Sequence, residues 1–245
     1  MDYQNKIVLV TGASSTIGKE LIRFFASKGC NLIITYCHNK TLVDNLKDEI
    51  VNKYDIKVDS LYLDLCKEES IIKLSNFVKE KYGKLDILIN NAALSLDSYY
   101  EDKTKSEFMR VLETNVVGTF LMIKFFENVM NNGYIFNMSS TDGIDTGNVY
   151  SIDYNASKAA INSMTKTISL ASENKIISIC PNWVDTDSTK EIDNDYLNNE
   201  LKRIGQKKLI SPTTIAQVID DCIKKKIETG TIIRIEGDED VRRIS

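Results

Sequence analysis

Short apolar segments and amphipathic segments alternate along almost the whole chain. Seven apolar runs have the length of strands and cover residues 6–10, 31–36, 57–63, 85–90, 133–139, 175–180 and 231–235. Helical patterns lie between them, near 18–28, 41–53, 68–82, 104–131, 153–173 and 212–226. Because the strand segments are apolar almost throughout, both faces of their sheet must be covered. The alternation therefore predicts an α/β fold, a doubly wound parallel sheet of about seven strands with helices on both faces.

Composition narrows the class of protein. The chain has 245 residues, 42% of them hydrophobic, and only two prolines, so we expect one domain over residues 1–245 without a linker. A net charge of −4 predicts no bulk attraction to nucleic acid or to a membrane surface. We find no long apolar span and no signal-peptide layout. Five scattered cysteines without a Cys-x-x-Cys pair predict free thiols and a cytoplasmic location.

A glycine-bearing turn follows the first strand segment. The apolar run Lys6-Ile-Val-Leu-Val10 leads directly into Thr11-Gly-Ala-Ser-Ser-Thr-Ile-Gly18, and a helical pattern follows. This is the setting of a dinucleotide-binding turn, in which Gly12 permits the sharp bend and Gly18 close packing of helix on strand. Backbone amides at the helix start would face a pyrophosphate. An ordinary strand-to-helix loop is the alternative, and the immediate strand and helix neighbours favour the binding turn.

A tyrosine and a lysine stand four residues apart, in Tyr154-Asn-Ala-Ser-Lys158. In a helix this spacing places both side chains on one face. The pKa of a phenol is about 10, and a neighbouring ammonium lowers that pKa toward the range useful for acid–base chemistry. The alternative is a solvated helix face that carries both residues by chance. The single histidine, His38, leaves no histidine triad and no multi-histidine metal site, so no metal is predicted.

Together these motifs resemble the short-chain dehydrogenase/reductase family, in its single-domain branch. Further segments carry the resemblance in the family's order: Asp64-Leu65, Asn90-Asn-Ala-Ala93, Thr114-Asn115-Val-Val-Gly118, Asn137-Met-Ser-Ser140 and Pro181-Asn-Trp-Val-Asp-Thr186. The family implies a Rossmann-like fold and hydride transfer between a nicotinamide and a carbonyl/alcohol substrate. The layout is similar to that of 3-oxoacyl-acyl-carrier-protein reductases. A noncatalytic dinucleotide sensor, or an enzyme acting on a sugar or other small alcohol, are the alternatives.

The resemblance also implies roles for individual residues. Tyr154 would exchange a proton with the substrate oxygen, and Lys158 would lower the Tyr154 pKa and hold the nicotinamide ribose. Ser140 would bind the substrate oxygen, and Asn115 would interrupt the long helix and hold a water that links Lys158 to solvent. The implied cofactor contacts are Gly12, Ser14, Ser15, Thr16, Ile17, Gly18, Cys37, His38, Asp64, Leu65, Asn91, Ala92, Tyr154, Lys158, Val184 and Thr186.

The end of the second strand segment bears on cofactor choice. A site for NAD usually has an acid there, which binds the ribose 2′-hydroxyl. Here the segment reads Thr35-Tyr-Cys-His-Asn39, and the first acid is Asp44. His38, Asn39 and Lys40 could receive a 2′-phosphate instead, although Ser15 stands where many NADP enzymes carry an arginine. The sequence therefore predicts NADP, with NAD as the alternative.

Several positions depart from the family pattern. Thr16, Ala93 and Asn182 each replace a usual glycine, and we expect Thr16 to crowd the pyrophosphate. Asparagine tolerates a positive φ, so we expect Asn182 to be the mildest of the three changes. Ser140 precedes Tyr154 by 14 residues, one more than is usual, and Thr141 is the alternative serine-position residue.

Two expectations concern the surroundings of the site. Residues 187–210 follow the nicotinamide loop and have little apolar periodicity, which fits a substrate lid or a solvated connector. The helix at 104–131 is apolar almost all round near its end, and the helix from Tyr154 carries small residues. Family members associate through these two helices, so the resemblance implies a homodimer or a homotetramer.

Overall fold

The structure, a computed structural model, describes residues 2–244. Within these residues eight strands form one sheet in the order β3-β2-β1-β4-β5-β6-β7-β8. The strands are β1 Ile7–Val10, β2 Asn31–Tyr36, β3 Val58–Tyr62, β4 Leu85–Asn90, β5 Met130–Met138, β6 Lys175–Pro181, β7 Ile232–Gly237 and β8 Asp240–Ile244. Strands β1 to β7 pair in parallel, and β8 pairs antiparallel to β7.

Helices cover both faces of the sheet, as predicted. They are α1 Thr16–Ser27, α2 Lys40–Lys53, α3 Glu68–Tyr82, α4 Lys105–Leu112, α5 Gly118–Phe126, α6 Ile152–Ile168, α7 Asp187–Lys190, α8 Asn194–Arg203 and α9 Pro212–Lys224. One buried apolar cluster packs α1, α2 and α9 on the sheet, and a second packs α3 and α5 on the other face. Burial of these two clusters is the main stabilising term for the fold.

The direction in which strands are added reverses beside β1. From β1 the chain proceeds outward to β2 and β3, and then returns to place β4 on the other side of β1. In doubly wound sheets, a crevice opens at the carboxyl ends of the strands at this point. The segments that follow β1 to β6 therefore meet there, and all the predicted site residues lie in or beside these segments.

Three details differ from the sequence expectation. The sheet gains an eighth strand at its edge, because the charged segment 240–244 pairs with β7 and charged residues suit an exposed edge. The predicted helix 104–131 ends at Phe126, and Met130 already pairs with Leu85 as the first residue of β5. Residues 187–210 hold two helices, α7 and α8, so the segment has regular structure despite its weak apolar periodicity.

Candidate active site

The turn after β1 has the geometry of a phosphate-binding turn. Gly12 has φ +70°, and a Cβ there would lie 2.9 Å from the Cα of Ala92. Ser15 caps α1, since its Oγ accepts a hydrogen bond from the Gly18 amide at 3.0 Å. The other amides at the start of the helix, on Thr16 and Ile17, have no acceptor within the helix. They stand at the positive end of the helix dipole, where an anion is stabilised.

The loop after β4 is fastened to this turn. Thr11 Oγ1 accepts hydrogen bonds from the amides of Asn91 (3.0 Å) and Ala92 (2.9 Å). In return, Asn91 Nδ2 donates to the carbonyls of Thr11 (2.9 Å) and Gly12 (3.2 Å). These bonds hold the two loops together as one preformed wall of the crevice. A Cβ on Gly12 would clash with Ala92, so the glycine allows the two loops to approach this closely. With the amides of Thr16 and Ile17 at the start of α1, the residues present fit a dinucleotide pyrophosphate.

Thr16, which replaces a family glycine, makes a contact that a glycine could not make. Its Oγ1 accepts a hydrogen bond from the backbone amide of Asp187 at 3.1 Å, at the first residue of α7. Lys19 adds a longer ion pair to the same aspartate, with 3.7 Å between Nζ and Oδ2. The side chain therefore connects the turn to the segment that follows β6. Ser14 lies half-buried in the same turn.

The β2 end, formed by Cys37, His38, Asn39 and Lys40, is exposed. Helix α2 begins at Lys40, its N-cap Asn39 makes no side-chain capping bond, and its first turn has no acidic residue. The nearest acid along the chain, Asp44, accepts hydrogen bonds from Lys40 Nζ (2.5 Å) and Ser60 Oγ (2.6 Å). The helix N-terminus therefore presents positive potential at the β2 end, and the acid nearest to it along the chain, Asp44, is paired with Lys40.

Asp64 and Leu65 follow β3 on the same side of the crevice. Asp64 is held by the Cys66 amide (3.0 Å) and by Lys67 (3.2 Å). Leu65 is buried against the start of α5, where a Cβ on Gly118 would lie 2.7 Å from the Leu65 Cβ. Gly118 thus allows the helix to approach the loop closely.

Asn115 interrupts the long helix, as predicted. It lies in a π turn, Glu113–Val117, between α4 and α5, and it is fully buried. Its Oδ1 accepts from the Leu94 amide (2.7 Å), and its Nδ2 donates to the Leu94 carbonyl (2.8 Å) and to Ser157 Oγ (3.0 Å). The side-chain amide is thus occupied by protein partners, and it joins the loop after β4 to α6. The predicted water would have to bind the main chain of the π turn, where the regular ladder of hydrogen bonds is broken.

Tyr154 and Lys158 share one face of α6, as the spacing predicted. Lys158 is 2% exposed, its Nζ lies 5.0 Å from the centroid of the Tyr154 ring, and it donates to the Met138 carbonyl at 2.6 Å. Burial lowers the pKa of Lys158 to about 8. Burial, followed by the Asp142 carboxylate, raises the pKa of the Tyr154 phenol. The predicted lowering by Lys158 is therefore wrong in direction here, because burial dominates and the ammonium is directed to a carbonyl of β5.

In the segment after β5, the hydroxyls of Ser139 and Thr141 form structural hydrogen bonds, and Ser140 is the candidate for binding a substrate. Ser139 Oγ donates to the Lys158 carbonyl at 2.9 Å, and Thr141 is buried with its hydroxyl bonded to Asn182 and Thr146. Ser140 begins a short 3-10 turn, Thr141–Gly143, and its Oγ accepts from the Asp142 amide at 3.1 Å. Since Ser139 and Thr141 hold structural contacts, Ser140 has the hydroxyl that remains available for a substrate.

The loop after β6 places Val184 and Thr186 beside α7. Val184 is buried and pairs with Ile210, and Thr186 Oγ1 accepts from the Thr189 amide at 3.2 Å as the cap of α7. Asn182 does not have a positive φ. The expectation that asparagine replaces the family glycine here because it tolerates a positive φ is therefore wrong. Its amide donates to the Ile235 carbonyl at 2.9 Å, which continues the pairing of β6 with β7, and its side chain holds Thr141.

Sequence reasoning missed two features beside Tyr154. Lys103 and Asp153, both buried, form an ion pair at 3.1 Å that fastens the loop after β4 to the start of α6. Asp142 is half-buried; burial raises its pKa, and hydrogen bonds with Thr146 and Ser140 oppose part of that shift. A carboxylate in a loop has no periodic neighbours, so only its two-residue distance from Ser140 could have pointed to it.

Comparison with known proteins decides the family. The model of the short chain dehydrogenase family matches residues 6–197. The chain belongs to the short-chain dehydrogenase family. As a member of that family, the protein is an NAD(P)-dependent oxidoreductase.

Individual relatives match over nearly their whole length. A 3-oxoacyl-acyl-carrier-protein reductase of Thermotoga maritima is 31% identical, over 97% of this chain and 98% of the relative. The Aquifex aeolicus reductase of the same name is 30% identical over 96% and 97%. Glucose 1-dehydrogenase 2 of Bacillus subtilis is 28% identical over 96% and 95%.

Solved structures of dehydrogenases share the fold. A dehydrogenase/reductase from Sinorhizobium meliloti has a TM-score of 0.88 at 24% identity, covering 97% of this chain and 96% of that one. A short chain dehydrogenase from Burkholderia cenocepacia, solved with NADP, has a TM-score of 0.89 at 21% identity, over 98% and 100%. Within residues 2–244, this short-chain dehydrogenase has no helix long and apolar enough to cross a membrane.

Proposed function

We propose that this dehydrogenase reduces a carbonyl substrate to an alcohol with NADPH, with Tyr154 as the proton donor. The observation that carries the proposal is the placement of Tyr154 and Lys158 on one face of α6, with Lys158 buried against Met138 at the carboxyl end of β5. That end of the sheet also carries the phosphate-binding turn. An acid–base pair and a dinucleotide turn at one crevice are what carbonyl reduction requires.

The proposed roles form one balanced step. When bound, the nicotinamide would supply a hydride to the carbonyl carbon and would itself be oxidised. Tyr154 gives its hydroxyl proton to the carbonyl oxygen, so that one C–H and one O–H bond form as the C=O π bond breaks. Ser140 donates a hydrogen bond to the same oxygen and stabilises the charge that develops on it. The Tyr154 phenolate left behind is reprotonated from solvent, and Lys158, whose Nζ lies 5.0 Å from the centroid of the Tyr154 ring, would hold the nicotinamide ribose.

The Tyr154 phenol of the free protein is protonated at neutral pH, as an ordinary phenol also is, so it can serve as the proton donor in reduction. A phenol whose pKa is raised by burial and by Asp142 is fully protonated at neutral pH. It therefore holds the proton that reduction consumes, whereas oxidation needs the phenolate. The proton is held on the acid before the carbonyl compound binds.

The cofactor proposal is NADP, with NAD as the alternative. The first turn of α2 has no acidic residue to repel a 2′-phosphate, and the N-terminus of this helix has no side-chain cap. A helix N-terminus is a favourable setting for a phosphate group, and Lys40, which pairs with Asp44, stands at that terminus. Ser14, Ser15, Thr16 and Ile17 would hold the pyrophosphate, Asp64 and Leu65 the adenine, and Val184 and Thr186 the nicotinamide.

The relatives suggest two substrate classes, 3-oxoacyl thioesters and sugars or other small alcohols. A noncatalytic dinucleotide sensor is the competing function. We set it aside because the acid–base cluster, formed by Asn115, Ser140, Tyr154 and Lys158, is intact. A sensor would need the binding turn but would not need this cluster.

We also propose that residues 1–245 act as one domain in the cytoplasm and that two or four copies associate. Five free cysteines support a reducing compartment. Along α4, the π turn and α5, Met109, Val117 and Phe120 are large apolar side chains that are each more than 40% exposed. A second copy would cover this apolar strip. Light scattering of wild type and of Phe120→Lys tests the association, since a charge at a covered position should shift the mass toward one copy.

Turnover assays test the proposed function. Purified protein is offered ketones, sugars and 3-oxoacyl thioesters with NADPH or NADH, and oxidation of the cofactor is followed by absorbance. We expect turnover by wild type, loss of turnover but not of cofactor binding in Tyr154→Phe, and loss of both in Lys158→Ala. Cofactor binding without turnover of any substrate class would instead favour the sensor.

A further inference from the structure

The turn that carries Asp142 is pressed against the catalytic helix. A Cβ on Gly143, the next residue, would lie 2.5 Å from the Lys158 carbonyl carbon and 2.6 Å from the Ala159 nitrogen. This close approach fixes the turn beside the backbone that carries Lys158. The Asp142 amide is bound to Ser140 Oγ at 3.1 Å. The Asp142 carboxylate also lies near enough to the Tyr154 phenol to raise its pKa, so it borders the place where the reacting oxygen would bind.

The carboxylate is only partly satisfied by protein groups. Thr146 Oγ1 donates to one of its oxygens at 2.8 Å, and the Ser140 hydroxyl also forms a hydrogen bond with the carboxylate. Arg203, a neighbouring cation, is paired with Glu200 at 2.7 Å and donates to the Thr146 carbonyl at 2.7 Å. Arg234 is paired with Asp145 at 2.7 Å, and within residues 2–244 no ion pair includes Asp142. A carboxylate has about four acceptor positions, so several remain open for a donor.

An aromatic rim borders the same region. It consists of Tyr99 from the loop after β4, Tyr150 from the segment before α6, and Tyr196 from α8. The ring centroids of Tyr99 and Tyr150 are 5.5 Å apart, and those of Tyr150 and Tyr196 are 5.9 Å apart. Asn148 Nδ2 donates to the Tyr196 hydroxyl at 2.6 Å and orders this ring. The rim offers ring faces and hydroxyls, a surface that suits small polar molecules with apolar edges.

We infer that Asp142 selects substrates with a hydrogen-bond donor, a hydroxyl or an ammonium, on the carbon next to the reacting carbonyl. This inference rests on the proposed function and names the substrate class of that same site. The carbonyl oxygen binds Tyr154 and Ser140, and the neighbouring donor binds the Asp142 carboxylate. A 3-oxoacyl thioester carries a methylene and a second carbonyl at these positions, so it would leave the carboxylate unpaired. The site therefore favours the sugar-like class over the thioester class.

Three ketones of nearly equal size test the inference: propanone, hydroxypropanone and aminopropanone. They differ only in the group on the carbon beside the carbonyl, which is hydrogen, hydroxyl or ammonium. The kcat/KM of each is measured with saturating NADPH for wild type, for Asp142→Asn and for Asp145→Asn. Asp145 is a matched control, because it lies in the same loop but is exposed and paired with Arg234. For each protein, the kcat/KM of the substituted ketone is divided by that of propanone. The ketones differ in intrinsic reactivity, but this difference cancels when the ratio for wild type is compared with the ratio for each variant.

We expect the kcat/KM of hydroxypropanone or aminopropanone, relative to that of propanone, to fall about 10- to 100-fold in Asp142→Asn. This is the range for the loss of a hydrogen bond to a charged group. A fall for the hydroxyl probe identifies a hydroxylated substrate, and a fall for the ammonium probe alone identifies an amine. Asp145→Asn should leave both ratios unchanged. Equal loss for all three ketones in Asp142→Asn would mean that Asp142 only supports the loop, and the inference would be overturned.

A measurement on wild type covers the case in which Asp142→Asn does not fold. 1,2-Propanediol should inhibit ketone reduction at a concentration about tenfold lower than 2-propanol. Equal inhibition by the two alcohols would overturn the inference. Preferred turnover of the N-acetylcysteamine thioester of 3-oxobutanoate would overturn it as well and leave the proposed function standing. Failure of the proposed function itself looks different, because then no carbonyl compound is turned over with either cofactor.

Discussion

The two ends of the crevice are built in different ways. The acid–base cluster is held from several elements at once: Lys158 by a carbonyl of β5, and Asn115 by the loop after β4 and by α6. The β2 end is exposed, and its side chains have few partners, of which the Lys40–Asp44 pair at 2.5 Å is one. Buried polar groups with full hydrogen bonding are rigid, whereas exposed pairs contribute little to stability.

We expect substitutions at the two ends to affect catalysis and cofactor choice differently. Chemistry at the buried cluster depends on placement, so a change of one atom there should cause a large loss. Cofactor choice at the β2 end depends on charge near an open helix N-terminus, so changes there should be graded and should depend on salt. The following variants test whether the two ends behave in these two ways.

The largest effect is expected for Tyr154→Phe. The ring stays in place and the proton donor is lost, so kcat should fall about 100- to 10,000-fold, the range for removal of a general acid. The cofactor dissociation constant should change little. Tyr134→Phe is the control, because it removes a hydroxyl from β5 far from the carboxyl end of the sheet. A Tyr154→Phe enzyme with near wild-type kcat would refute the assignment of the acid.

The next effect concerns stability and pH. Burial lowers the pKa of Lys158 to about 8, below its ordinary value of 10.5. Between these two values the unfolded chain binds a proton that the folded chain does not, so folding becomes more favourable as pH rises. From pH 8 to 9.5, the free energy of unfolding of wild type should gain about 2 kcal/mol relative to Lys158→Met. Urea unfolding at both pH values measures this difference.

A constant difference between wild type and Lys158→Met across that pH range would show that the Lys158 ammonium is well solvated. The ion pair of Lys103 with Asp153 would then be the main electrostatic contact at the start of α6. A control at pH 6 and 7 should show no change in the difference, because Lys158 is protonated in both folded and unfolded chains there.

The sequence predicted the elements that carry the site better than it predicted the electrostatics of the site, for physical reasons. Strand β4 matched its prediction residue for residue, since its six positions are all buried and four of them are Leu or Ile. The side-chain spacing on α6 was also predictable, because it depends only on local helix geometry. The pKa of Tyr154 was not predictable, because burial and then the Asp142 carboxylate raise it, and both effects arise only when the fold forms.

Strand β8 and Asp142 show the same limit. The segment Asp240–Ile244 carries three charged residues among five and becomes a strand by pairing with the edge of β7. Asp142 gains its setting from Gly143, whose close contact with the Lys158 backbone is a property of tertiary packing. Local patterns therefore locate elements and motifs, and contacts between distant segments decide the electrostatics of the site.

A smaller effect is expected at the β2 end. His38→Asp places a negative charge where a 2′-phosphate would lie, so the NADPH dissociation constant should rise about tenfold or more, while NADH should bind as well or better. Asn52→Asp adds the same charge near the opposite end of α2 and should leave both constants in place. The difference between the two variants should shrink in high salt. Equal effects on NADPH and NADH would place the adenosine ribose away from His38.

The smallest effect is expected at Thr16, which lies between the two ends. Its side chain narrows the pyrophosphate turn, yet its Oγ1 also holds the Asp187 amide at 3.1 Å. Thr16→Gly removes both contributions, and Thr16→Ser removes only the methyl group. If crowding dominates, calorimetry should show that NADPH binds about threefold more tightly to Thr16→Gly than to wild type, with Thr16→Ser in between. A threefold change corresponds to a binding free energy at the low end of the range for one hydrogen bond. Weaker binding to Thr16→Gly, with Thr16→Ser like wild type, would show that the bond to Asp187 orders the turn. The turn would then have gained through α7 the rigidity that the acid–base cluster obtains from β5 and the loop after β4.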